Sequence, residues 1–283
     1  MKIRLATRGS PLALIQAKMA ERFLSERLPD AEFEIVEVKT FGDKDRTASL
    51  SANGGTGLFT KEIEHSLLRG EADIAVHSAK DLPTNLAEGL CVCGCLPQDA
   101  RRDVLAVRAG AEVPSVIASS SPRRRSQLKS MFPNAVWTDL RGNVHTRLEK
   151  IASGFADATI LSEAGLLRLG ISSFEGLVLR PLKPDVCVPA VGQGIVALEC
   201  RSADFEKFRA TDSAAEEAFS LERAFLRALG GGCQSAFAAN FDGARFRFFH
   251  ENTGIQNVDL SAYATFAERL GVVQSLANGI AGR

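Results

Sequence analysis

The feature that most constrains the fold of this chain is a regular alternation of strand-like and helix-like segments. The segment KIRLAT predicts a strand, and SPLALIQAKMAERFLSERL predicts a helix with Ser10 as its N-cap and Pro11 as its first residue. The next strand-like segment, EFEIVEVKT, is apolar on both faces, which is typical of a sheet covered on both sides. A helix with Phe59, Ile63 and Leu67 on one face follows, and then the strand ADIAVHS. Strands that alternate with helices indicate an α/β fold.

The alternation resumes after LPQDARRD and predicts a second α/β unit. Strands are expected at VLAVRA, SVIASS, AVWTDL and ATILS. Helices are expected from Pro122 to about Phe132 and from about Val144 to Ser153.

A third region begins at the helical segment SAAEEAFSLERAFLRALGGG. Ser213 and Glu216 match a capping box at its start, and Gly230 supplies a stop at its end. The strand-like ARFRFFH and a helix near SAYATFAERLGVVQSLANGIA predict a small α+β domain. A chain of 283 residues with 45% hydrophobic content is long enough for two or three compact domains.

The charge balance excludes a global electrostatic attraction to nucleic acid or membrane. The chain has 34 Lys and Arg against 34 Asp and Glu, a formal net charge of +0, so any anion site must be local. Its first residues, MKIRLATRGS, are too polar for a signal peptide, and no uncharged apolar run approaches the length of a membrane helix. We therefore expect a soluble, cytoplasmic protein with no membrane contact.

The cysteines and histidines do not predict a metal site. The segment CVCGC has one-residue gaps where zinc sites prefer two to four, so we interpret Cys91, Cys93 and Cys95 as an alternating strand and a metal site there as the less favoured alternative. Six cysteines in this pattern also do not form a small secreted disulfide framework. We interpret His77, which lies within a strand-like segment, as a core histidine in preference to a catalytic one.

Arginines crowd three predicted helix starts, where the helix dipole disfavours positive charge. One interpretation is that they are solvated surface residues whose repulsion costs a few tenths of a kcal/mol each. Three such clusters at strand-to-helix turns instead favour a bound polyanion, because turns of this kind converge on the ligand crevice of open α/β sheets. The clusters are Arg8, then Arg123 with Arg124 and Arg125, and then Arg141 with Arg147.

An acid and a lysine are expected at the same ligand crevice as the arginine clusters. In VHSAKDLPT, Lys80 and Asp81 follow a strand and precede Pro83. Such a neighbouring pair is usually an ordinary surface feature. At a strand end among arginines, the aspartate could hold a developing positive charge or exchange a proton with substrate.

Cys233 in LGGGCQ directly follows three glycines at the end of a predicted helix. On its own it is better explained as a small buried hydrophobe. The alternative is a flexible tether that presents a nucleophilic thiol.

Eight motifs taken in order resemble those of the porphobilinogen deaminase, or hydroxymethylbilane synthase, family. They are ATRGSPLAL, GLFTKEIE, VHSAKDLPT, SSSPRRRSQL, LRGNVHTRL, GLLRLG, PAVGQG and LGGGCQ, and they cover residues 2–236. The resemblance implies two α/β domains like those of periplasmic binding proteins, hinged around a cleft, and a small α+β third domain. We assign residues 1–96 with 192–210, residues 97–191 and residues 211–283 to these three domains.

The activity implied by this resemblance is the head-to-tail joining of four porphobilinogen molecules into hydroxymethylbilane with release of ammonia. The implied cofactor is a dipyrromethane attached by a thioether to Cys233. The implied partners are porphobilinogen and the growing oligopyrrole chain. A monomer is expected, with the next enzyme of the pathway as a candidate partner.

The resemblance also implies roles for individual residues. Asp81 would be catalytic, stabilising a cationic pyrrole and assisting proton transfer. The implied cofactor-binding set, besides Cys233, is Lys80, Ser10, Arg123, Arg124 and Arg141. The implied substrate-binding set is Arg8, Arg147, Arg168 and Phe59. The sequence departs from the family pattern at Thr56, Ala79, Pro122 and His145.

Two other classes of function remain to be compared. A non-enzymatic two-domain anion-binding module would use the same arginines but would need neither Asp81 nor Cys233. Nucleic-acid binding is disfavoured by zero net charge and by the presence of one Trp and one Tyr for base stacking.

Overall fold

The computed structural model describes residues 1–39, 60–230 and 236–281. The chain divides into two compact units, Met1–Asp99 with Ile195–Arg223 and Ala100–Gly194 with Ala224–Arg283. Each unit contains a five-stranded sheet with helices, and the second also holds a three-stranded sheet. The predicted α/β class with a small α+β C-terminal part is confirmed. The division into three domains stays a prediction.

The described residues form thirteen strands and eight α-helices. The strands are β1 Lys2–Arg8, β2 Glu32–Val38, β3 Ile74–Ser78, β4 Leu90–Cys95, β5 Asp103–Arg108, β6 Val116–Ala118, β7 Val136–Thr138, β8 Ala158–Ser162, β9 Leu177–Pro181, β10 Val196–Arg201, β11 Phe237–Phe241, β12 Arg245–His250 and β13 Gly254–Asp259. The helices are α1 Pro11–Ser25, α2 Lys61–Leu68, α3 Pro122–Leu128, α4 Val144–Ala152, α5 Glu163–Arg168, α6 Phe205–Phe208, α7 Ser213–Ala228 and α8 Phe266–Ala281. No helix in these described ranges is both long enough and apolar enough to span a membrane.

The two large sheets share one topology. The first has the order β2-β1-β3-β10-β4 and the second the order β7-β6-β8-β5-β9. In each, the first three strands run parallel and the last two are antiparallel to their neighbours. The carboxyl ends of three parallel strands therefore lie along one edge of each sheet, which is where ligands bind in open α/β folds.

Aliphatic side chains on these strands and on the helices beside them form the core of each unit. Burying one such side chain contributes about 1.5–3 kcal/mol. The first unit buries Ile3, Leu5, Ile74, Val76 and Leu198 together. The second unit buries Leu105, Val107, Ile117, Leu128 and Ile160 together.

Strand β2 is less buried than its sequence predicts. Among the described residues it is an edge strand that pairs with β1 alone, and its three glutamates are exposed while its other residues are half-buried. The expectation of a strand covered on both faces is wrong here, because in the described part of the chain β2 lies at the edge of its sheet.

The cysteine-rich segment forms the predicted strand, β4. Cys91 lies opposite Cys200 of β10 with the two Sγ atoms 4.0 Å apart, and a bulge follows between Leu198 and Glu199 of β10. Cys93 is buried in the core of the first unit and its Sγ donates to the carbonyl of Leu198 at 3.5 Å.

Aromatic packing ties the C-terminal part together. The ring of Phe225 on α7 contacts Phe246 and Phe248 on β12, with centroids 5.4 and 5.0 Å apart. The three-stranded sheet has the order β11-β12-β13. Helix α8 buries Val273 and Ala277.

The start of α7 differs from the predicted capping box. Asp212, one residue before the helix, is the N-cap, since its Oδ1 accepts a hydrogen bond from the Ala215 N–H at 2.9 Å. Glu216 pairs instead with Arg209, with Nη1 and Oε1 3.1 Å apart. The predicted stop is confirmed, because Gly230 has φ +81° and its N–H donates to the Arg227 carbonyl at 3.0 Å.

We expect Asp212→Ala to lower the free energy of unfolding by about 1 kcal/mol, the usual effect of losing an N-cap. Ser213→Ala should change it by less than about 0.5 kcal/mol, because Ser213 lies inside the helix. Urea denaturation of the two variants measures both values. An equal loss in both variants would contradict this assignment of the cap.

Candidate functional site

In the first unit, the predicted site residues lie at the carboxyl ends of two neighbouring parallel strands. Arg8 is the last residue of β1, and Lys80 and Asp81 belong to a 3₁₀ turn directly after β3. Strands β1 and β3 pair in parallel, so these three side chains share one edge of the sheet. Lys80 and Asp81 are exposed and Arg8 is half-buried.

Ser10 has a local structural role in addition to its proposed one. Its Oγ accepts a hydrogen bond from the Ala13 N–H at 3.3 Å, which confirms the predicted N-cap of α1. Gln16 on the same helix donates from Nε2 to Ser78 Oγ at 2.8 Å. This bond ties α1 to the end of β3, immediately before the turn that carries Asp81.

A buried polar cluster lies behind this edge. His77 Nε2 and Glu199 Oε2 are 2.9 Å apart, and their side chains are 4% and 0% exposed. The position of His77 within a strand is confirmed. Burial and the neighbouring charge of Glu199 raise the pKa of Glu64. In the part of the chain that the structure describes, Oε1 of Glu64 and Oε1 of Glu199 have no hydrogen-bond partner.

We expect Glu64→Gln to stabilise the protein at pH 7 to 8. Because the pKa of Glu64 is raised in the folded state, ionising it there is unfavourable. The wild type should therefore lose stability as the pH rises above the ordinary carboxyl pKa of about 4.3. The glutamine variant avoids this loss, so its advantage should shrink as the pH falls towards 4.3.

Thermal melts between pH 4 and pH 8 measure this effect. Glu88→Gln is the control, because Glu88 is exposed. A Glu64→Gln variant that is no more stable than the wild type at pH 8, or that gains equally at every pH, would contradict the prediction.

In the second unit, arginines follow the carboxyl ends of three neighbouring parallel strands. Helices α3, α4 and α5 come after β6, β7 and β8, which lie in the order β7-β6-β8. The segments that carry the predicted set thus all start from one edge of the sheet. That set is Arg123, Arg124, Arg141, Arg147 and Arg168.

Three of these arginines are half-buried, and two of them donate to backbone carbonyls. Arg147 Nε donates to the Gly142 carbonyl at 2.8 Å, and Arg168 Nη2 donates to the Gly194 carbonyl at 2.7 Å. Arg141 precedes Gly142, which has φ +120°. A Cβ at Gly142 would also lie 2.9 Å from Cγ2 of Thr146, so only glycine fits between Arg141 and the start of α4.

The other two arginines are buried, and an internal carboxylate faces both. Arg123 and Arg124 each form an ion pair of 2.7 Å with Asp103. Burial alone would raise the pKa of Asp103, but the two guanidinium groups hold it far below its ordinary value. The interpretation of Arg123 and Arg124 as solvated surface residues is wrong, since each is 8% exposed.

Asp103 is a residue that sequence reasoning missed. From the sequence, the positive charge of the arginines at these turns is explained by an external polyanion alone, whereas Asp103 neutralises part of that charge. The available signal was an acid immediately before the apolar run VLAVRA. Such a carboxylate must be buried with a partner. Phe59, Thr56 and Cys233 lie outside the described residues.

The fold and these two edges define a two-unit α/β protein whose parallel strand ends carry cationic side chains suited to a polycarboxylate ligand. The family model described as porphobilinogen deaminase, dipyromethane cofactor binding domain, matches residues 3–209. The chain belongs to the porphobilinogen deaminase family, as its motifs predicted.

Curated relatives agree with this assignment. The porphobilinogen deaminase of Syntrophomonas wolfei is 43% identical over 246 residues, covering 84% of this chain and 79% of the relative. That of Bacillus velezensis is 42% identical over 246 residues, covering 83% and 78%. The probable porphobilinogen deaminase of Hyperthermus butylicus is 41% identical over 250 residues, covering 84% and 81%.

Proposed function

We infer that this chain is a transferase of tetrapyrrole biosynthesis that joins four porphobilinogen molecules head to tail into hydroxymethylbilane and releases ammonia. The observation that carries this inference is the family match over residues 3–209. Porphobilinogen bears acetate and propionate groups, so the growing chain is a polycarboxylate that suits guanidinium groups. A non-enzymatic anion-binding module is not favoured, because the curated relatives are deaminases.

The donor set fits the dipyrromethane cofactor of this family. A two-pyrrole group with four carboxylates needs several cations, and the two sheet edges carry arginines and a lysine. When bound, the dipyrromethane supplies the pyrrole ring to which the first substrate unit is joined. The residues proposed to hold it are Lys80, Ser10, Arg123, Arg124 and Arg141, with a thioether to Cys233.

Asp81 is the proposed catalytic residue. Its carboxylate is exposed at the end of β3, beside Lys80. A negative charge held there stabilises the positive charge that develops on a substrate pyrrole, and it can accept or return a proton. The residues proposed to bind and orient substrate are Arg8, Arg147, Arg168 and Phe59.

Three of the five described cysteines are poor candidates for the attachment site. Burial raises the pKa of Cys91 to about 11, that of Cys95 to about 12 and that of Cys187 to about 11. These thiols are therefore protonated at neutral pH, and the thiolate is the nucleophile. This supports Cys233 as the cysteine that bears the cofactor.

Location, assembly and domain division are further proposals taken from the family. We propose a cytoplasmic monomer of three domains, residues 1–96 with 192–210, residues 97–191 and residues 211–283. The next enzyme of the pathway is its candidate partner.

We expect Asp81→Asn to lower turnover by about a hundredfold or more, because the amide keeps the shape of the side chain but loses its charge. Its melting temperature and its covalent cofactor should match the wild type. Steady-state assays of hydroxymethylbilane formation, together with intact mass, measure these quantities. The control is Asp30→Asn, an exposed aspartate that precedes β2 at the amino ends of the strands. Near-normal turnover of the Asp81 variant would contradict the catalytic role.

The attachment site is tested by the intact mass of denatured protein. The wild type should carry a two-pyrrole excess mass and react with an aldehyde reagent for pyrroles, since a thioether survives denaturation. Cys233→Ser should lose both signals and Cys91→Ser should keep both. An adduct on any other cysteine, or active protein without an adduct, would overturn the assignment.

A further inference from the structure

A fully buried carboxylate anchors the two arginines at the start of α3. Asp103 is the first residue of β5 and is 0% exposed. Its Oδ2 accepts a hydrogen bond from Arg123 Nη1 at 2.7 Å. Its Oδ1 accepts from Arg124 Nη2 at 2.7 Å and from Arg124 Nε at 3.1 Å. One carboxylate therefore takes a charge-assisted hydrogen bond from each guanidinium group.

Neutral groups fix the same side chains from other directions. Arg123 Nη1 also donates to the Val188 carbonyl at 2.6 Å, and Arg124 Nη1 donates to the Ile160 carbonyl at 2.9 Å. Gln193, which is 1% exposed, donates from Nε2 to Oδ1 of the carboxylate at 3.2 Å. The three charged groups are thus held in one arrangement.

The charge of this cluster is not balanced within the cluster. Two guanidinium groups face one carboxylate, which leaves one positive charge. Arg124 bonds through all three of its nitrogens, whereas Arg123 bonds through Nη1 alone. Nε and Nη2 of Arg123 have no hydrogen-bond partner among residues 1–39, 60–230 and 236–281. These two nitrogens form the edge of a guanidinium group that fits a carboxylate with two parallel hydrogen bonds.

We propose that Asp103 is a positioning residue for carboxylate binding, which holds Arg123 and Arg124 so that the open edge of Arg123 meets one carboxylate of the cofactor or growing chain. The proposal rests on the proposed function, which supplies that ligand. Without Asp103, two buried positive charges would lack their partner and both side chains would leave their present positions. Ligand binding would then have to order them again.

The first readout is independent of activity. Asp103→Asn keeps the size of the side chain and one carbonyl oxygen but removes the charge. The NMR signal of the Arg124 Nε–H group is measured in protein with isotope-labelled arginine and assigned with Arg124→Lys. In the wild type this proton bonds to a buried carboxylate and should exchange slowly with water. In Asp103→Asn we expect the signal to be lost.

The second readout is covalent loading. Full-length chains made without cofactor are incubated with porphobilinogen, and the concentration that loads half of them is read from intact mass. For Asp103→Asn this concentration should rise about tenfold or more, the factor expected when one charge-assisted hydrogen bond is lost.

Asp157→Asn is the matched control. Asp157 pairs with Arg108 at 2.7 Å in the same unit but precedes β8, at the opposite end of the parallel strands. Its variant should lose stability yet load at the wild-type concentration.

Three results would overturn the proposal. They are an Arg124 signal that survives in Asp103→Asn, normal loading despite loss of the signal, and equal loading defects in the Asp103 and Asp157 variants. If Asp103→Asn does not fold, Asp103→Glu is tested in its place. That variant keeps the negative charge but moves the carboxylate by the length of one methylene group, which displaces the arginines bound to it. Normal loading of that variant would overturn the proposal, and a tenfold rise would support it. A wild type that acquires no adduct contradicts the proposed function instead. The NMR measurement then still tests whether Asp103 holds Arg124 in place, because it needs no cofactor.

Discussion

Strand polarity is the constraint on which both candidate site edges depend. In each unit three neighbouring strands run parallel, in the orders β2-β1-β3 and β7-β6-β8, and their carboxyl ends share one edge. Every described residue of the proposed site ends or follows one of these strands, although the residues come from five different segments of the chain. These residues are Arg8, Ser10, Lys80, Asp81, Arg123, Arg124, Arg141, Arg147 and Arg168. The topology thus sets the place of each side chain, and local turns set its orientation.

In each unit an antiparallel strand then supplies a buried carboxylate to a side chain on another element. Strand β5 runs against β8, so its first residue, Asp103, reaches the carboxyl edge and meets Arg123 and Arg124. Strand β10 runs against β3 and brings Glu199 to His77. Removing one partner of a buried ion pair generally costs about 3–5 kcal/mol, so Asp103 is as necessary as the two arginines that it faces.

The sequence predicted most elements because their signals are local. Ser10 with Pro11 marks the start of α1, and a glycine in the left-handed region marks the end of α7. The position of Asp81 at the carboxyl end of a strand was predicted from the strand-like segment before it and from its motif.

The burial of β2 and the role of Asp103 could not be predicted, since both depend on which strands become neighbours. Asp103 lies 20 residues from Arg123 in sequence, and the pair that joins His77 to β10 spans 122 residues. The N-cap of α7 was misplaced by one residue because Ser213 and Asp212 are both good caps, and only the hydrogen bond to Ala215 distinguishes them.

Strand β10 lies between β3 and β4 in the first sheet, although it follows the entire second sheet in the chain. On the ribosome, strands β5 to β9 are therefore synthesised before the strand that joins β3 to β4. The unit whose residues are translated first is then the later of the two to complete its five-stranded sheet. Until β10 emerges, β3 and β4 each present an open edge to the crowded surroundings of a nascent chain.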